Sequence, residues 1–235
     1  MRDIRNSFAP RGVTNGWHFA INAAMRRIIL VASLLACACI PKIDAPDRPR
    51  AAEPDKSAQA IAQCHADLRR EGVAFRVLPD RHFSGGCSAL GAVQLEEIGT
   101  PTANLGAMTC PLARQFARWT REAVQPAARQ WLGARVVRIE TMGTYACRPV
   151  NNRAGARLSE HGRANAVDVA AFVIQGGRRI TVLDGWAGDD QRTRSFLRAV
   201  QTAGCRRFQV GLGPDANALH RDHLHFDMGP GPYCR

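Results

Sequence analysis

The sequence predicts an α+β fold, a small antiparallel sheet flanked by helices. Three observations predict it. Long segments with apolar residues at steps of three and four occupy much of residues 57–133 and recur at 192–204. Short β-branched runs appear only from Arg135 onward, and two of them lie four residues apart, as a hairpin would place them. Helices first and strands later, without regular alternation, argue against a parallel βαβ architecture.

In chain order, Ser57–Gly72 reads as a helix with a Ser N-cap, with Ile61, Cys64 and Leu68 on one face and a terminal Gly. Cys110–Gly133 is the long amphipathic helix. Leu112, Phe116, Trp119, Ala123, Val124, Ala127 and Trp131 form its core stripe, and Pro126 is expected to end or kink it. Arg135–Cys147, Asn165–Ile174, Arg178–Leu183 and His223–Met228 read as strands. Arg192–Gly204 reads as a second long helix, with Phe196, Leu197 and Val200 inward.

The composition, 46% hydrophobic and 22% charged over 235 residues, suits one globular domain plus a leader. The charge is basic, 32 Lys+Arg against 20 Asp+Glu. Residues 1–50 hold eight of the basic and three of the acidic residues, which leaves 24 against 17 for the rest. A solvated arginine-rich surface accounts for this excess. No nucleic-acid motif or basic-aromatic groove pattern accompanies it, so no nucleic-acid partner is expected.

Met25–Pro41 has two arginines, an apolar run from Ile28 to Ile40, and a proline. That run is shorter than the roughly 20 residues of a membrane-spanning helix and matches an export signal. Translation from Met25 would make Met1–Ala24 an extension. Leu34–Cys37 resembles a bacterial lipobox, with Cys37 as the lipidated residue; Ala36–Ala38 equally resembles an A-x-A cleavage site. The first alternative gives membrane attachment through an N-terminal lipid, as in an outer-membrane lipoprotein; the second gives free export. Either way the expected location is the periplasm or cell envelope. Residues 1–40 are thus read as extension and signal, 41–57 as a Pro- and charge-rich disordered linker, and 58–235 as the folded domain. Six cysteines lie beyond the leader: Cys64, Cys87, Cys110, Cys147, Cys205 and Cys234. Without a CxxC pair they suit three disulfides better than a zinc ribbon. Six cysteines allow 15 pairings; Cys205–Cys234, which would tie down the C-terminal end, is the pairing singled out.

The chemistry gathers near the end, in "HRDHLHFD" (His220–Asp227), which holds three of the seven histidines. On a strand, His223 and His225 share one face, together with Asp227, while Leu224 and Phe226 point into the core. Earlier, "LSEHGRANAVDVAAF" (Leu158–Phe172) puts His161 seven residues before Asp168, whose neighbours Val167, Val169 and Phe172 are apolar. A carboxylate in such surroundings needs a partner or a metal. Two His and one Asp would leave a zinc ion an open fourth position, the arrangement of a catalytic site.

"SEHGRANAVD" resembles the SxH…GxAxD signature of the zinc peptidases typified by D-alanyl-D-alanine carboxypeptidases. "HLH" resembles the closing motif of the murein endopeptidases. "CPLARQFARW", "VQPAA", "GTYACR", "SEHGRANAVDVAAF" and "HRDHLHFDM…CR" together resemble the bacterial extensin-like C-terminal domain family over nearly three quarters of the chain. The resemblance implies His161, Asp168 and His225 as zinc ligands, with His223 beside the reacting water as the catalytic histidine. It also implies Arg148 as a carboxylate anchor. By position, Ser159, two residues before His161, reads as a substrate or loop contact, and His220 and Asp222 as residues that could orient the ligands. The implied activity is hydrolysis of peptidoglycan peptides; the alternative is a cell-wall peptide-binding module without catalysis. Two positions depart from the peptidase pattern. His223 stands where the carboxypeptidase branch has a Glu base, and Ala164 stands where a Gly is usual.

Overall fold

The computed structural model describes residues 56–235; the expected export signal, the lipidation candidate Cys37 and nearly all of the expected linker lie outside the described residues. The elements run α1 (Lys56–Arg70), β1 (Ala74–Val77), β2 (Arg81–His82), β3 (Ser88–Ala89), β4 (Ala92–Glu97), β5 (Thr102–Ala103), β6 (Met108–Thr109), α2 (Cys110–Trp119) and α3 (Gln125–Leu132). There follow β7 (Val136–Gly143), β8 (Ala166–Ile174), β9 (Arg179–Thr181), α4 (Val182–Gly185), α5 (Gln191–Cys205), β10 (Val210–Leu212), β11 (Leu224–Asp227) and β12 (Tyr233–Cys234).

The fold is α+β. Its main sheet has the order β12-β10-β11-β8-β7-β5, with β9 also on β8. The centre is antiparallel: β10 with β11, β11 with β8, β8 with β7 and β9. The sheet is antiparallel as expected, with two-residue parallel strands at its edges, β12 beside β10 and β5 beside β7. A second sheet, β1-β4-β6, and the β2–β3 pair lie between Ala74 and Thr109, a stretch to which the sequence assigned no element. Their strands are short, and β1 is largely exposed, so alternation gives little signal there. Among the described residues no helix is long and apolar enough to cross a membrane.

The predicted helices all form, with shifted ends. α1 begins at Lys56, so Ser57 lies in its first turn instead of capping it. The long segment runs to Leu132, and Pro126 does not end it. Thr120–Val124 opens into a π turn, with the Gln125 N–H reaching Thr120 O. Proline has no N–H to offer residue 122 and its ring crowds that carbonyl; the wider turn accommodates both. Phe116 and Trp119 are fully buried, whereas Trp131 is 37% exposed, so the core stripe stops short of it. The Trp119 Nε1–H donates to Val200 O at 2.9 Å, tying α2 to α5.

Of the predicted strands, Arg135–Cys147 ends at Gly143, whose φ of +117° breaks the extended backbone. Arg178–Leu183 ends at Thr181, whose hydroxyl accepts the Asp184 N–H and starts α4. Phe172, Phe196 and Phe226 pack with Trp119 between sheet and helices, so the core side of β8 and β11 is apolar as predicted. Three disulfides form: Cys64–Cys110, Cys87–Cys147 and the predicted Cys205–Cys234. Each closes a loop of tens of residues and contributes about 2–4 kcal/mol. Cys205–Cys234 fastens β12 to the end of α5.

Candidate metal centre

The register of the main sheet brings the site together. In β11 and β8, His225 and Asp168 are directly paired, so their side chains meet on one face. The opposite face of β11 carries Leu224 and Phe226, both fully buried. His161 comes from a different kind of element. It lies in a 3-10 turn, Glu160–Arg163, and not on a strand. The Ser159 hydroxyl caps this turn by accepting the His161 N–H at 3.4 Å, which places Ser159 as a fixer of the loop. Ala164 ends the turn with φ +53°, a left-handed conformation that costs an alanine about 1–2 kcal/mol. Ala164 is fully buried and packs against Ala89 and Ala92, so the turn has firm backing.

Three ligand-type atoms then converge. His161 Nε2 is 3.2 Å from His225 Nδ1 and 3.1 Å from Asp168 Oδ2, and His225 Nδ1 is 2.9 Å from Asp168 Oδ1. All three residues are buried, and they could hold one metal ion. The outer nitrogens decide the chemistry. His161 Nδ1 lies 3.2 Å from the Thr144 carbonyl, and His225 Nε2 lies 2.9 Å from Asp227 Oδ2. Both partners are acceptors, so both outer nitrogens carry the hydrogen and donate it. In the neutral imidazoles the inner nitrogens are therefore lone pairs facing each other and a carboxylate. Such a group requires a cation. Tetrahedral zinc with bonds of about 2.0–2.2 Å sets its ligand atoms about 3.3–3.6 Å apart, which a few tenths of an ångström of side-chain movement supplies. The donor set fits.

Without a metal, a proton takes its place. Burial opposes charging His225, but the Asp168 and Asp227 carboxylates outweigh it and raise its pKa from 6.5 to about 9. Asp168 is also buried, yet the hydrogen bonds from His161 and His225 hold its carboxyl far below the usual range. Because the folded pKa of His225 is the higher one, its contribution to stability is complete below 6.5 and is lost as pH rises through about 9. The metal-free chain should therefore melt at progressively lower temperature across that window, and saturating zinc, by displacing the proton, should remove the decline. Thermal melts at several pH values, with and without zinc, check this.

His223 stands one residue before β11, so strand alternation does not aim it. Asp222 does: its Oδ1 is 2.8 Å from His223 Nδ1, leaving Nε2 to face Asp168 Oδ1 at 3.6 Å. The ring of His220 lies 5.1 Å from that of His223 and 5.7 Å from that of His225. Its Nδ1–H donates to Asn217 Oδ1, and burial, with the nearby imidazoles, lowers its pKa to about 4, so it is neutral at pH 7. His65 and His82 lie outside the cluster. The cluster opens into a cleft of about 440 Å³ that Arg148 and Ser159 also line. Their backbones are joined, Ser159 N–H to Arg148 O at 3.1 Å, and Cys87–Cys147 anchors the same segment. A larger and more open depression, about 690 Å³, lies by Trp131 and α5. Its Arg198 is bound to Asp215 and stacked on Trp186, so it reads as structural.

Asp227 and Thr144 belong to the site without having been singled out. Strand alternation places Asp227 on the His225 face, but only the fold shows it holding the imidazole, itself fixed by the Gly229 N–H at 2.8 Å. The Thr144 contact is a backbone carbonyl and leaves no trace in residue type. Asp227→Asn should weaken zinc binding about 10- to 100-fold, the usual cost of losing a partner behind a ligand; competition against a chelating dye measures it.

A family model described as Extensin-like protein C-terminus matches residues 62–235 of this chain. No curated protein matches, and no solved structure matches.

Proposed function

We propose that this chain, which belongs to the extensin-like protein C-terminus family, is an exported zinc-dependent peptidase acting on peptidoglycan peptides. The observation that carries the reading is the inward convergence of His161 Nε2, His225 Nδ1 and the Asp168 carboxylate, each imidazole being held from behind by an acceptor. His161, Asp168 and His225 would hold the ion. Bound there, zinc would acidify water and polarise a carbonyl.

The chain's own residues account for the rest. Asp222 keeps the hydrogen of His223 on Nδ1, so Nε2 is the basic nitrogen and faces the cluster. His223 Nε2 takes a proton from the attacking water and returns it to the amine nitrogen of the broken peptide bond. Arg148 has no carboxylate partner among the described residues and would bind the terminal carboxylate of the peptide. Ser159 and Ala164 hold the His161 turn at a fixed height above the sheet. Three disulfides support an oxidising compartment such as the periplasm.

The test is mass spectrometry of muropeptides incubated with the zinc-loaded chain, with His225→Ala as control. New fragments formed only by the unsubstituted chain support the peptidase. Retention of peptides without any new fragment identifies a cell-wall peptide-binding module instead.

A further inference from the structure

The cleft is built from two unlike arms, and the strand register shows where each lies. Leu212 of β10 pairs with His225, which pairs with Asp168. In the neighbouring row Tyr233 of β12 pairs with Val210, which pairs with Asp227. Directly paired residues point to the same face of a sheet. The face that carries the metal candidates therefore continues through Leu212 and Val210 to Tyr233 at the sheet edge. Neighbouring strands are about 4.8 Å apart, so this arm reaches about 14 Å from β8 to β12, room for an extended peptide of about four residues.

The arm is apolar. Val210, Leu212, Leu219, Pro230 and Tyr233 line the cleft there, and none carries a charge. Leu219 is 57% and Tyr233 54% exposed, so apolar surface is offered inside the cleft and not used by the core. The one carboxylate in these rows, Asp227, is taken by His225 and the Gly229 N–H. Across the cluster, beyond β8, the other arm is the Arg148–Ser159 segment, with Arg148, Asn151, Asn152 and Arg157 facing the same cleft. Arg157 is only loosely engaged, 4.0 Å from Glu160.

We infer that the apolar arm is a side-chain subsite: the residue on the acyl side of the bond at the cluster places an uncharged aliphatic side chain against Leu212, Leu219 and Tyr233, opposite the arm where Arg148 would hold the terminal carboxylate. This rests on the peptidase reading for which bond sits at the cluster, but the selectivity itself is a property of binding. A charged side chain on the acyl side would lose water to an apolar surface with no counter-charge. An aliphatic one gains by the same burial.

The experiment uses N-acetyl-X-Ala dipeptides with X as Leu, Ala, Glu or Lys, in both chiralities of the terminal alanine, and their C-terminal amides. Binding is measured by calorimetry on the full zinc-loaded chain carrying His223→Ala, in which cleavage is slowed; cleavage is measured on the unsubstituted chain. The expected result is that, in the better-bound chirality, Leu binds about tenfold more tightly than Glu or Lys and that the amides bind more weakly than the acids. Leu219→Ser and Tyr233→Ser, each checked for an unchanged circular dichroism spectrum, should flatten the order of X without changing the preference for acids. Equal binding of all X, a preference for charged X, an order untouched by both substitutions, or no binding of any member would overturn the inference. The expected order without cleavage would reject the peptidase and keep the aliphatic subsite; cleavage without the order would do the reverse.

Discussion

Asp168→Ala is expected to leave a folded chain that no longer takes up zinc and no longer cleaves peptide. His161 and His225 turn neutral lone pairs inward because Thr144 O and Asp227 occupy their other nitrogens. The anionic member of the set is Asp168, which touches both inner nitrogens. Without it two neutral nitrogens remain, and a divalent ion in a buried site lacks its counter-charge. The loss should exceed the roughly 10- to 100-fold expected for a partner behind a ligand. The fold should survive, because the apolar side of β8 and β11 is untouched and the three disulfides remain. Removing Asp168 also takes away the main support for the proton on His225, so the alkaline decline of the metal-free chain should move to lower pH. Zinc titration and the circular dichroism spectrum of the variant measure the two halves of this expectation separately.

His223→Ala should separate catalysis from metal binding. The imidazole lies beside the cluster without belonging to the three converging residues. Its removal should leave zinc in place and lower kcat by about 10²–10⁴, the range attributed to a positioned acid–base group. KM should change little, since substrate is held by the two arms of the cleft. Asp222→Asn should act in the same direction and more weakly, because it disturbs which nitrogen of His223 carries the hydrogen without removing the ring. A variant that loses zinc along with activity would place His223 among the ligands instead.

Particular residues show why some of this site is legible in sequence and some is not. His225 and Asp168 stand out because polar groups on otherwise apolar strands demand an explanation, and period-two alternation says which face they share. The three long helices are legible for a similar reason, since a buried stripe repeats over several turns. His161 is legible only through the joint pattern with Asp168; its 3-10 turn has no periodicity, and its height is set by Ser159 and the left-handed Ala164. Thr144 contributes a main-chain oxygen, which any residue type could supply. β12 contributes Tyr233 to the apolar arm of the cleft and has only two residues, too few for any alternation to register; it is held by β10 and by the Cys205–Cys234 bond. The π turn arises from Pro126 acting one helical turn upstream, a geometric adjustment that residue preferences do not encode.

The most direct measurement is zinc stoichiometry: equilibrium dialysis of the purified, metal-stripped chain against zinc, followed by elemental analysis, for the natural sequence and for His161→Ala, Asp168→Ala and His225→Ala. One tightly held zinc per chain is expected in the natural sequence and none in any of the three variants, with all four retaining the folded spectrum. Zinc absent from the natural chain, or retained undiminished when these side chains are removed, would contradict this expectation.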